Sequence, residues 1–158
     1  MQQETTVDPV TEPPEPLATH AILEHDHASK WLGVTPVHVE PGVAIIEMTL
    51  RKEMLNGFGI AHGGMLFAFA DTAFAMACND PAGAVDSYTV AQGADVTFLK
   101  PGRPGSPLRA EARMRRQSGR SGLYDITVTQ RRSDGEDEVL LEFRGRSRTV
   151  SGAPPTVR

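Results

Sequence analysis

Residues 61–78 read AHGGMLFAFADTAFAMAC, an almost wholly apolar run with one carboxylate, Asp71, near its middle. The run is long enough and apolar enough to predict a buried helix. Burying a lone charge is costly, and aspartate is a mediocre former of helix interiors, so propensity does not account for Asp71. On a helix it shares its face with Phe67, Ala68, Phe74 and Ala75, one turn to either side. Charges in apolar settings cluster at sites of chemistry. The competing reading is a polar strip that pairs with a loop or an arginine.

The start of the same run carries a second chemical feature. Gly63 and Gly64 have no side chains, so a ligand atom can approach their N–H groups. The first N–H groups of a helix lack partners and lie at the positive end of its dipole. That setting favours an oxygen that gains negative charge, as in acyl transfer. His62 can donate to the same oxygen or hold the loop. Gly64 and Asp71 are seven helical steps apart, about 10 Å at ~1.5 Å per residue. One reacting carbonyl cannot reach both on one chain, so joint action predicts a composite site in a homodimer.

Outside this helix, turn formers divide the chain. GVTPVHVE and VAIIEMTL read as strands joined by Pro41-Gly42, and four strand-length runs follow at roughly 87–99, 107–118, 122–132 and 138–149. Leu17, Ala21, Ala28 and Leu32 fall at steps of four and seven and predict an amphipathic helix ending at Gly33. The order implies an α+β domain over 17–150, an antiparallel sheet wrapped against one apolar helix. Such a helix needs more cover than one sheet face provides, which points to an oligomer interface. Residues 1–16, Pro-rich and acidic, and residues 151–158 are expected to be disordered tails.

Charge narrows the partners. The excess of four acids lies wholly in Glu4, Asp8, Glu12 and Glu15, and the remaining chain balances. No strong field favours nucleic acid or a membrane surface. A single cysteine, Cys78, permits no intrachain disulfide, and no secretory signal or bilayer-length apolar run is present, so the expected setting is cytoplasmic. His25 and His27 face different directions on a helix and make no metal pair. Lys100, Arg103 and Arg120 sit in loops where they can pair with phosphates, while alternate arginines on strands face water.

LNGFGIAHGGMLFAFADTAFAMACN (55–79) resembles the signature of hotdog-fold acyl-CoA thioesterases, within them the phenylacetate-degradation (PaaI-type) branch. DVTFLKPG (95–102), GLYDITV (122–128) and LEFRGRSR (141–148) are similar to that branch's later strands, so the likeness spans roughly residues 20–150. The resemblance implies a hotdog fold, dimers, and tetramers as dimers of dimers. It implies that Gly64, with the Gly63 region, offers N–H to the thioester oxygen, and that Asn56 and His62 orient the loop and carbonyl. Asp71 of the second subunit is then nucleophile or general base, with Thr72 a candidate to keep it ionised. The implied substrate is an acyl-CoA, favouring ring-hydroxylated phenylacetyl-CoA, with no metal or cofactor beyond the coenzyme A it carries.

The acidic tail lies outside the resemblance, and 80–87 is longer than usual after the helix. Ser87, Thr89 and Gln92 are all candidates to hold the attacking water. Two other classes stand beside hydrolysis. A hotdog hydratase or dehydratase would add water to an enoyl-CoA, and a non-catalytic acyl-CoA-binding protein would bind thioesters equally well with Asn at position 71.

Overall fold

The computed structural model describes residues 18–155. The expected N-terminal tail and Leu17 lie outside them. From the first described residues, a 3-10 turn (Ala21–His25) is followed by α1 (His27–Leu32), β1 (Thr35–Glu40) and β2 (Val43–Met48). A short 3-10 turn (Lys52–Met54) precedes α2 (Gly63–Cys78), and then come β3 (Ser87–Phe98), β4 (Leu108–Ser118), β5 (Ser121–Arg131) and β6 (Asp137–Ser151). The six strands form one antiparallel sheet in the order β1-β2-β4-β5-β6-β3. This is the hotdog arrangement, with α2 laid along the inner face.

The strands alternate as a half-buried sheet must. Ala44, Ile46 and Met48 of β2, Leu108, Ala110 and Ala112 of β4, and Tyr124, Ile126 and Val128 of β5 face α2 and are buried. Their neighbours point to water and pair. Arg109 meets Glu47 at 3.1 Å, and Arg115 and Arg144 flank Asp125 at 3.2 and 2.7 Å. The Arg144 hydrogen bonds hold the Asp125 carboxyl below its usual range. Alternate arginines therefore do face solvent, as the spacing predicts.

From α2 the sheet buries Leu66, Phe69, Ala70, Ala73, Phe74, Met76 and Ala77. Phe74 lies in an aromatic nest with Tyr124 and Phe143, ring centroids 5.3 and 5.8 Å away. Burying such a ring contributes about 1.5–3 kcal/mol. β6 makes room with Gly145, where an added Cβ would stand 2.7 Å from the Phe74 ring. Gly42 is needed for conformation instead: at φ 85° it turns β1 into β2 after Pro41.

The predicted continuous helix from Leu17 to Leu32 is not what forms. The chain breaks at Asp26, whose carboxylate accepts from Ser29 N–H at 2.9 Å and starts α1 afresh. His20 is the other cause. Its ring is buried, accepts from Ile22 N–H through Nδ1, and donates through Nε2 to the carbonyls of Met76 and Asn79. The segment thus caps the far end of α2 rather than running as one rod. At the other terminus β6 extends through Ser151, and Gly152 N–H bonds to Asp86 O at 2.8 Å. Among the described residues no helix is long and apolar enough to cross a membrane.

Candidate active site

The entry to α2 is built by a tight loop. Asn56 N–H bonds to Ile60 O at 2.8 Å, and the Asn56 Oδ1 accepts from the N–H groups of Phe58 and Ile60. Two more backbone bonds, Ala61 N–H to Gly102 O and His62 N–H to Met54 O, pin the last residues before the helix. Asn56 thus shapes the loop with its carboxamide oxygen, and its amide nitrogen makes no hydrogen bond among the described residues.

At the helix start His62 is the N-cap. Its Nδ1 accepts from Gly64 N–H at 2.9 Å, and its carbonyl accepts from Met65 and Leu66. Gly63 N–H has no acceptor among the described residues. The expectation of Gly64 as the open donor therefore meets a competitor, because the imidazole already satisfies it. The free donor is one residue earlier. Gly63 is tightly packed: an added Cβ would lie 3.3 Å from the Phe98 ring, which would have to give by a few tenths of an ångström.

Asp71 is half-buried and has no hydrogen-bond or ion-pair partner among the described residues. Burial pushes its carboxyl up from the ordinary range. Thr72 does not help it. The Thr72 hydroxyl donates to Ala68 O at 3.0 Å and lies 3.2 Å from Ser29 Oγ, which itself bonds to Asp26. Its one proton is spent inside α2 itself.

Gly63, Phe67, Asp71 and Ala75 follow at steps of four, and none of them is buried by the sheet. They make an open stripe along α2, with Phe67 37% exposed beside Phe143. The stripe holds the free N–H at one end and the lone carboxylate two turns on, about 12 Å away along the axis. Cys78, further along, is an unreactive thiol, pushed up to about 12 by burial.

An apolar groove borders the helix start, walled by Ile60, Ala61, Leu66, Phe98 and Leu99 and ending at Lys100. Arg103 lies just past it on the same loop, in a neighbouring cleft. Arg120 does not join them. It lies in the β4–β5 hairpin, bonded to Ser151, whereas the helix start is by Phe98 at the opposite end of β3. The three water-holding candidates also separate: Thr89 Oγ1 pairs with Thr149 at 2.9 Å, Ser87 borders an apolar pocket beside His20, and Gln92 sits by Arg116 and Arg146. His25 and His27 flank the Asp26 cap, and no metal-binding cluster occurs among the described residues.

One residue of this region escaped the sequence reading. Gln130 is buried, and it holds the Arg103 loop by three hydrogen bonds to backbone. Its signal was a polar residue at an inward position, two after Val128 in β5.

Residues 58–135 match the family described as Thioesterase superfamily. The chain is 38% identical over 133 residues to the acyl-coenzyme A thioesterase PaaI of Escherichia coli, covering 84% of this chain and 89% of that protein. The solved structure of E. coli PaaI, from the phenylacetic acid degradation operon, superposes with a TM-score of 0.75 at 37% identity, over 84% of this chain and 91% of the other. The phenylacetic acid degradation protein PaaI of Thermus thermophilus aligns with a TM-score of 0.66 at 30% identity, over 76% and 96%.

Proposed function

The chain belongs to the thioesterase superfamily as a PaaI-type thioester hydrolase, and on that premise we propose that it hydrolyses small aromatic acyl-CoA thioesters at a site shared between two subunits. One observation carries the shared site. The free Gly63 N–H and the unpaired Asp71 carboxylate lie on one open stripe of α2, too far apart for a single carbonyl. Two such helices laid antiparallel about Phe67 bring Gly63 of one beside Asp71 of the other. The acyl group is taken as phenylacetyl-like because the E. coli relative belongs to a phenylacetic acid degradation operon.

In this reading the thioester carbonyl oxygen accepts from Gly63 N–H, where the helix dipole stabilises the charge of the tetrahedral intermediate. Gly64 N–H joins when the His62 ring swings away, and the amide of Asn56 is free to help orient the ester. Asp71 across the interface either removes a proton from water as it attacks or attacks the carbonyl itself. With Asp71 as base, collapse breaks the C–S bond, the proton taken from water passes from Asp71 to the leaving thiolate, and the acid and the coenzyme A thiol are released. With Asp71 as nucleophile, collapse expels the thiolate, which takes a proton from water, and leaves a mixed anhydride on Asp71 that a water molecule then hydrolyses to the acid. A second copy covering the stripe also gives Phe67 the burial it lacks in one chain. Pairing dimers into tetramers is compatible with this arrangement. The residues present supply each step without a metal or further cofactor.

The test is thiol release from phenylacetyl-CoA and hydroxyphenylacetyl-CoA. Asp71→Asn should fold normally and lose activity by about 10²-fold or more. Full activity in that variant would overturn the assignment.

A further inference from the structure

Around the turn between β4 and β5 the sheet carries cations that nothing near them neutralises. Strand pairing sets Arg116 opposite Leu123 and Leu123 opposite Arg146, and it sets Arg148 opposite Ser121. Arg120 lies in the turn itself and donates to Ser151 Oγ, while Arg148 reaches Ser121 Oγ at 3.4 Å. All four arginines are exposed. Arg146 is paired with Asp95, but Arg116, Arg120 and Arg148 have no acidic partner among the described residues. Elsewhere on the same strands the arginines do pair, Arg109 with Glu47, Arg113 with Glu111 and Arg131 with Asp137.

The missing acids are found in the sequence before the first described residue. Residues 1–17 hold Glu4, Asp8, Glu12 and Glu15 and no Lys or Arg, and they contain the whole acidic excess of the chain. The described chain begins at Ala18, and His20 shares a pocket with Ser87, Tyr88, Thr89 and Val90 of β3. Those four strand residues pair with Arg148 to Ser151 of β6. The acidic segment therefore joins the fold at the end of the sheet that bears the three arginines. With strands ~4.8 Å apart, Arg148 lies about one strand spacing from β3 and Arg116 about three, roughly 5 and 14 Å. At ~3.3 Å per residue, Glu15 can lie up to ~10 Å from Ala18, and Glu12 and Asp8 up to ~20 and ~33 Å. That length is sufficient to pass round the β3 edge.

We propose that the acidic N-terminal segment, residues 1–17, docks on this basic end of its own chain, with Glu12 and Glu15 against Arg116, Arg120 and Arg148. Charge complementarity and reach carry the assignment, and it stands apart from the thioester chemistry. Guanidinium forks take carboxylates in two-point contacts. Each exposed pair is weak, but the covalent link keeps the segment at high effective concentration. Pro9, Pro13, Pro14 and Pro16 lessen the chain freedom that docking removes. Because the contacts are ionic and exposed, salt should release them.

The test is zero-length carbodiimide cross-linking of the full chain carrying Arg120→Lys, which keeps the charge and supplies an amine. Digestion and mass spectrometry should find Glu12 or Glu15 joined to position 120 at low salt. The yield should fall about threefold or more in ~0.5 M NaCl. Adding Arg116→Ala and Arg148→Ala should lower it by a similar factor at low salt. Oligomers mixed from light and isotope-labelled chains identify the strand of origin, and the links should join segments of one isotope. Absence of a link to position 120, or links confined to Lys30, Lys52 or Lys100, overturns the docking. A yield indifferent to salt and to the two alanines overturns its ionic basis. Links chiefly between light and labelled chains would hand the segment to a neighbouring copy and overturn docking on its own chain.

Discussion

Asp71 has no hydrogen-bond or ion-pair partner among the described residues, and its pKa is raised by desolvation. The raised value has opposite consequences for activity and stability. Hydrolysis needs the carboxylate, so kcat/KM should fall with decreasing pH along an acid limb above the range of an ordinary aspartate. For stability, the folded pKa exceeds the unfolded one. Between the two values the native state binds more protons, so this group's contribution declines as pH rises through that window and remains a penalty above it. Asp71→Asn should therefore melt higher than wild type at neutral pH, with the gain vanishing below the unfolded aspartate pKa. Thermal unfolding followed by circular dichroism over a pH series checks the sign. A variant that melts lower at neutral pH would mean that an unseen partner stabilises the charge.

Among the elements, α2 is the one that must satisfy two neighbours at once. Its buried side is cut to fit the sheet, and its open stripe is left for the site. The fit is tightest where Phe74 crosses β6 at Gly145. Gly145→Ala should cost about 1–3 kcal/mol by overpacking, read as a drop in Tm. Adding Phe74→Leu should recover part of that loss, because the smaller side chain yields the space. Failure of this rescue would place the strain in the backbone of β6 instead. The smaller elements follow the same logic: α1 starts on the Asp26–Ser29 bonds and meets α2 where Ser29 Oγ lies 3.2 Å from Thr72, and Thr72, donating to Ala68 O, has no proton to spare for Asp71.

At the scale of the whole molecule, β1 and β3 are the two edges of the sheet, and β3 is twelve residues long. A long edge strand is a surface that natural proteins cover or blunt, and the proposed second copy would lie on this side, where Phe98 and Val90 are exposed. Complementation tests the composite site. Gly63→Pro deletes the proposed donor yet suits the first helical position, and His62 before it already has an extended backbone. Alone, Gly63→Pro and Asp71→Asn should both be inactive. Mixed in equal amounts, with subunits exchanged, they should regain about a quarter of the wild-type sites, since half the dimers then carry one intact pair. Proven mixed dimers that remain inactive would place the whole site within one chain. Much of this molecule was legible in its sequence, because strand alternation, turn formers and an apolar helix with one carboxylate are local patterns. Asp71, the glycine pair and the sheet that wraps them could be read from spacing alone. Which donor is open could not, because it depends on the reach of the His62 ring. Gln130 bonds residues 24 and 27 positions away, and Arg120 is carried to the far end of the sheet by strand pairing. Hydrogen-bond partners are chosen by proximity in space, and only the packed chain brings such distant residues together.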